Sequence, residues 1–388
     1  MNMETAKETK QLHILPRAAA AVLCLSLVFL NVLIMIGNQK PLPEVQKAES
    51  VAIMNSFDSL IVDAMAQAKD GALSVPKKFW LSDEATKGMV PDPNNYGTTD
   101  DPSSLQWLLD EAQPLLQGDE TLFSTDVTLM PGSVATYYLD ESIFAITWKQ
   151  VFDNCVYTIS EIQLSHPSQF RRHLEGAFDE IKLSTPTLMS RSVNAVVGSA
   201  ADHYLGRRAG IIVYDGEVKR IHLAEHVDVC YIDRDGNLLF SYAGDLLDKE
   251  SAQKFVDEND ISFSLAFGPI IVDNGVRREI SHYMLGEVND DYARAALCQM
   301  GNLHYLVVTA NREGPYWKHL TIHEFARQVE QFGCDKAYTL DGGNTGSIIM
   351  NGKLINRTTF GHERWQGDLL YFCTAISNTN ETKTKGNP

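Results

Sequence analysis

From Phe144 onward the chain is a series of short apolar runs, each ending in a tight-turn signal. Ile211-Ile212-Val213-Tyr214 runs into Asp215-Gly216, Val229-Cys230-Tyr231-Ile232 into Asp233-Arg234-Asp235-Gly236, and Ser347-Ile348-Ile349-Met350 into Asn351-Gly352. Asp, Asn and Gly tolerate the left-handed backbone that a two-residue hairpin turn demands, so these runs are expected to pair as antiparallel strands. Two helices are expected among them. Pro167 to Phe178 places Phe170, Leu174 and Phe178 at spacings of four. Thr321 to Phe332 is better specified: Thr321 and Glu324 form a capping box, Leu320 and Phe325 a hydrophobic staple, and Gly333 a stop. The expected fold class is therefore α+β, with mixed or antiparallel sheets and a few packed helices, not a doubly wound parallel sheet.

The N-terminal end carries a different signal. Residues 18–36 form an uncharged run of 19, which as a helix spans roughly 28 Å, the thickness of a bilayer's hydrocarbon core. Lys7, Lys10 and Arg17 precede it, an arrangement that keeps the short tail in the cytoplasm. Gly37-Asn38-Gln39-Lys40-Pro41 offers no small-x-small cleavage site, so a signal anchor is favoured over a cleaved signal peptide. The expected topology is a single-pass membrane protein with everything after Lys40 outside the cytoplasm, at the cell surface.

Residues 41–144 hold 17 acidic against 5 basic side chains, most of the chain's formal charge of −17. Two helices are expected there, one through Ile53, Phe57, Leu60, Ile61, Ala64 and Met65, the other after Asp101-Pro102, with a loop over Met89 to Gly97. The expected organisation is a cytoplasmic tail (1–17), a transmembrane anchor (18–36), an acidic membrane-proximal spacer (37–144), a main domain (145–378) and a polar tail (379–388).

An apolar content of 44% excludes a disordered chain. The acidic balance repels phosphate backbones, so nucleic-acid binding is not expected. Five of the six cysteines lie beyond the apolar run, none in a CxxC or zinc-spaced pattern, and they read as buried free thiols. Asp233, Asp235 and Asn237 resemble half a calcium loop without the closing Glu, and read as a hairpin turn. No metal and no cofactor is expected. Asn356 and Asn380 begin glycosylation sequons, and no Ser-His-Asp or Cys-His arrangement is readable.

Three further segments occur together: Phe267-Gly268-Pro269-Ile270-Ile271-Val272-Asp273-Asn274-Gly275; Val307-Val308-Thr309-Ala310-Asn311-Arg312, followed by the capped helix and Gly333-Cys334; and Lys336-Ala337-Tyr338-Thr339-Leu340-Asp341-Gly342-Gly343-Asn344-Thr345-Gly346-Ser347. In order and spacing they resemble the phosphodiester glycosidase family, over about residues 145 to 378. Upstream, Asn194 to Tyr204 resembles the family's strand ending NGDYY, and Ala293-Arg294-Ala295 stands where the family has PRT. Ala200 and Ala201 replace an Asn-Gly, Ala310 the Asp of a DGR, and Asn344 and Cys298 glycines.

The resemblance implies cleavage of a sugar-1-phosphodiester at the anomeric C–O bond, through an oxocarbenium-like transition state. Because phosphate leaves readily, such a reaction needs a carboxylate to stabilise the sugar cation or activate water, and cations to hold the phosphate. It implies Asp341 and Asp202 as the carboxylates and Arg294 and Arg312 on the phosphate. Gly342, Gly343, Asn344 and Tyr204 complete the substrate site, the glycines by letting backbone N–H groups approach the ligand. His203, His319 and Arg364 are secondary candidates. Taken alone, without the flanking motifs, Asp341-Gly342-Gly343 reads as a tight turn. The expected partner is a glycosyl-phosphodiester carbohydrate; the alternative is a catalytically silent module that binds phosphorylated cell-wall glycans.

Overall fold

A computed structural model describes residues 83–101, 127–281, 283 and 288–376. The apolar run 18–36, the two helices expected in the acidic region and the sequon at Asn380 lie outside them. Among the described residues no helix is long and apolar enough to cross a membrane.

The hairpin signals act where they were expected. Asp215-Gly216 and Asn351-Gly352 have positive φ at both residues, joining Gly210–Tyr214 to Glu217–His222 and Ile348–Met350 to Lys353–Leu354. At Asp233 the carboxylate accepts the N–H groups of Asp235 and Asn237, which closes the hairpin from Val229–Asp233 to Leu238–Ser241.

The largest sheet has nine strands in the spatial order Tyr96–Thr99, Ala135–Leu139, Ile143–Phe152, Cys155–Leu164, His304–Asn311, Arg294–Gly301, Lys336–Leu340, Ile270–Asp273 and Val276–Arg277. Two five-stranded sheets accompany it, and every strand pairing among the described residues is antiparallel. Alternation along the strands gives the large sheet two apolar faces. Tyr157, Ala296, Cys298 and Val308 pack on Ile322, Phe325, Ala326 and Val329 of the helix Ile322–Gln331. Ile162, Leu297, Tyr305 and Val307 face Phe170, Cys230, Ile232, Phe263 and Phe372 of the smaller sheets. The helix carries the expected capping box, Glu324 N–H donating to Thr321 Oγ1 and Thr321 N–H to Glu324, and Gly333 follows it at φ +76.

Two expectations are corrected. Pro167 to Phe178 is not a helix: a single 3-10 turn, Pro167–Gln169, leads into the strand Phe170–Leu174, paired with Asp368–Phe372. A spacing of four is even, so Phe170 and Leu174 share a face of a strand as readily as of a helix. Met89 to Gly97 is not all loop, since it contains the 3-10 turn Pro93–Asn95 and enters the strand Tyr96–Thr99. The expected boundary at 145 falls inside the strand Ile143–Phe152, and two strands upstream of it belong to the large sheet. Asn356 of the first sequon is buried, its side chain bonded to Ile348 N–H and the Gly346 carbonyl. The five described cysteines are buried and none of them is in a disulfide.

Candidate active site

Asp341 is the first residue after the strand Lys336–Leu340, and its N–H donates to the Ala201 carbonyl at 3.2 Å. The two glycines then turn the chain against the neighbouring segment. A Cβ on Gly342 would lie 2.3 Å from the Ala293 carbonyl oxygen, and Gly343 has φ +59 with its N–H donating to that same carbonyl at 3.0 Å. The Gly343 N–H is therefore committed within the chain. The glycines serve close backbone approach, and what they present outward is the Asp341 side chain.

That side chain lines a cavity of about 300 Å³, together with Arg207, Arg294, Arg364, His319 and Asn344 among its polar groups. Its walls include Phe267, Pro269, Tyr283, Tyr292, Ile322 and Phe360. Among the described lining residues Asp341 is the one acid, against three arginines. Arg364 Nη1 stands 4.0 Å from Asp341 Oδ2 and donates to Thr345 Oγ1 at 3.3 Å, while Nη2 meets His203 Nε2 at 3.1 Å. Arg294 is held by backbone, its Nε donating to Leu320 O at 2.9 Å and Nη2 to Asp290 O at 2.6 Å. Arg207 lies over the Phe267 ring, 4.4 Å from its centre. Burial, reinforced by Arg312, holds the His319 imidazole below its ordinary range. Its Nε2 meets Asn311 Oδ1 at 3.1 Å.

The structure thus brings together Asp341, Arg294, Gly342, Gly343 and Asn344, with the secondary candidates His319 and Arg364 beside them. Asn344 Oδ1 accepts the Phe360 N–H at 3.2 Å, tying the glycine turn to an aromatic of the wall.

The other expected residues sit elsewhere. Asp202 is fully buried: Oδ1 accepts from Arg172 Nη2 at 2.6 Å and Oδ2 from the Ala266 N–H at 2.7 Å. Arg172 also donates through Nε and Nη2 to Asp368 Oδ2, at 3.1 and 2.7 Å, and through Nη1 to the Ser264 carbonyl. Burial lifts the Asp368 carboxyl well above the usual carboxylate range, only partly opposed by Arg172. Tyr204, also buried, stacks on Phe178 and lies 5.2 Å from the Arg172 guanidinium. Asp202 and Tyr204 are framework residues and not part of the described cavity wall.

Arg312 is exposed and also absent from that wall. The strand His304–Asn311 ends with Asn311 turned inward, its Nδ2 on Arg357 O and its Oδ1 on the Arg312 N–H. Arg207 was not anticipated. Its only sequence signal is position, three residues beyond the Tyr204 that ends the motif-like segment.

Residues 190–373 match the family model described as phosphodiester glycosidase, the family to which the motifs pointed. No curated protein matches the chain in sequence. Among solved structures, the zebrafish N-acetylglucosamine-1-phosphodiester alpha-N-acetylglucosaminidase catalytic domain, auto-inhibited by its pro-peptide, is similar at 16% identity and a TM-score of 0.47. That match covers 60% of this chain and 82% of the other. A hypothetical protein from Synechocystis is similar at 11% identity and a TM-score of 0.43, covering 60% and 62%.

Proposed function

We propose that this chain is a glycosidase of sugar-1-phosphodiesters, cleaving the anomeric C–O bond in a surface glycan or glycoconjugate. The observation that carries the reading is the composition of one cavity within the family-matched segment: among its described lining residues one carboxylate, Asp341, faced by Arg207, Arg294 and Arg364. A surplus of guanidinium groups suits a phosphate, whose oxygens accept their paired N–H donors. The aromatic faces of Phe267, Tyr292 and Phe360 suit the C–H faces of a sugar ring.

The chemistry follows from that division. Phosphate departs as an anion already stabilised by arginine, so little protonation of the leaving group is needed. Positive charge develops on the sugar carbon, where the Asp341 carboxylate offsets it or takes the proton from an attacking water. In this role Asp341 works without Asp202, whose oxygens are occupied by Arg172 and Ala266. The N-terminal run 18–36 would anchor the enzyme with its domain outside the cytoplasm, where such glycans lie.

The second reading, a silent module that binds phosphorylated glycans, is favoured by one observation: only one described carboxylate lines the cavity. Incubating the protein with a panel of α- and β-glycosyl-1-phosphodiesters separates the two. Release of free sugar from one anomeric series supports the glycosidase. Retention of the intact diesters, with binding, supports the module.

A further inference from the structure

Two of the cavity's three arginines are held by one residue outside its wall. His203 has a left-handed backbone, φ +55, and its carbonyl accepts the N–H groups of Gly206 and Arg207, both at 3.0 Å. That turn carries Arg207 into the cavity. Its imidazole Nε2 meets Arg364 Nη2 at 3.1 Å, and Arg364 in turn stands 4.0 Å from Asp341. The ring passes so close to Gly206 that a Cβ there would fall 2.0 Å from Nε2. A guanidinium has no acceptor, so Nε2 must take the hydrogen bond as a bare nitrogen, which leaves the imidazole proton on the buried Nδ1.

We propose that neutral His203 is a positioning residue that presents Arg364 to the anion held in the cavity, and that its protonation releases that arginine. A proton on Nε2 would remove the acceptor and set two cations at hydrogen-bond distance. The charged groups facing the ring are Arg364 and Arg207, which oppose protonation, and Asp202, which favours it. The Asp202 oxygens are already engaged by Arg172 and Ala266. Burial and Arg364 accordingly hold His203 below the ordinary histidine range. The anion grip is therefore complete near neutrality and is lost as the pH falls through that lowered value. This refines the regulation of the same site and rests on the glycosidase reading for its catalytic meaning, but the grip itself can be measured without turnover.

The test is calorimetric titration of the full chain with inorganic sulfate, whose charge is constant between pH 5 and 8, beside two variants. His203→Asn tolerates the left-handed backbone but is too short to reach Arg364, whereas His203→Gln places a neutral acceptor near the position of Nε2. Between pH 8 and a pH below the His203 transition, wild type is expected to weaken roughly tenfold, the scale of one charge-assisted hydrogen bond. His203→Asn should be weak at both pH values, and His203→Gln tight and nearly independent of pH. If His203→Asn matches wild type in affinity and in pH slope, the proposal is overturned, as it is if wild type shows no sulfate binding. If sulfate binding follows the expected pattern but no diester is hydrolysed, the glycosidase reading fails and the role of His203 stands.

Discussion

Among the described residues, two of the assemblies of aspartate and arginine differ in what surrounds them. In the buried one, Arg172 sits between Asp202 and Asp368, and protein atoms take up both Asp202 oxygens and three of the Arg172 nitrogens. In the other, Arg207, Arg294 and Arg364 converge on a cavity with Asp341, leaving room for a molecule of sugar-phosphate size. Identical residue types make a framework in one place and a candidate site in the other. What separates them is place: the first is enclosed in the interior, and the second lines a cavity.

The hardest blow to this contrast is Arg172→Met. It leaves Asp202 and Asp368 buried without their cation, and breaking a buried pair of this kind costs about 3–5 kcal/mol. A urea titration should show a loss of that size; an unchanged midpoint would mean that the cluster is not the closed framework described. A smaller effect comes from another closed polar site. His166 Nδ1 accepts the Ser168 N–H at the start of the 3-10 turn, and burial, with Arg171, holds its pKa down at about 4. The unfolded chain takes up that proton near the ordinary histidine value of about 6.5, so this stability is complete above that pH and is lost as the pH falls towards 4. It amounts to at most ~3 kcal/mol. His166→Asn, a neutral cap, should flatten that part of the pH–stability curve, and an identical slope in both proteins would refute the assignment.

Gly342→Ala sharpens the contrast from the open side. Its Cβ would meet the Ala293 carbonyl oxygen at 2.3 Å, and relieving such a contact costs about 1–3 kcal/mol while displacing Asp341. Stability and sugar release should fall together. Release at the wild-type rate would show that the turn does not set the position of Asp341. The smallest effect on stability is expected from Asp341→Asn, below about 1 kcal/mol, because the replacement keeps the side chain's shape at the cavity wall, where Arg364 Nη1 stands 4.0 Å away.

Much of this was legible locally. Asp-Gly and Asn-Gly turns, the capping box of Ile322–Gln331 and the strand leading to Asp341 are each written within a dozen residues. The strand Phe170–Leu174 was not, because its even spacing fits both periodicities. Asp202 could not be separated from Asp341 by sequence either. Its partner Arg172 is 30 residues away, and that arginine's second partner, Asp368, a further 196 from Arg172. Arg312 lies one residue past the buried strand His304–Asn311 and is exposed, away from the cavity wall. Nonlocal pairing, which spacing along the chain does not encode, decides these cases.

The most direct test of the central claim measures binding and turnover together in Asp341→Asn, using whichever glycosyl-1-phosphodiester the wild type hydrolyses. Removing a negative charge from among three arginines should leave diester binding as tight as in wild type or tighter, while sugar release falls by roughly 10²-fold or more, the scale of a lost acid–base group. Sugar release at the wild-type rate by a folded Asp341→Asn protein would contradict the account.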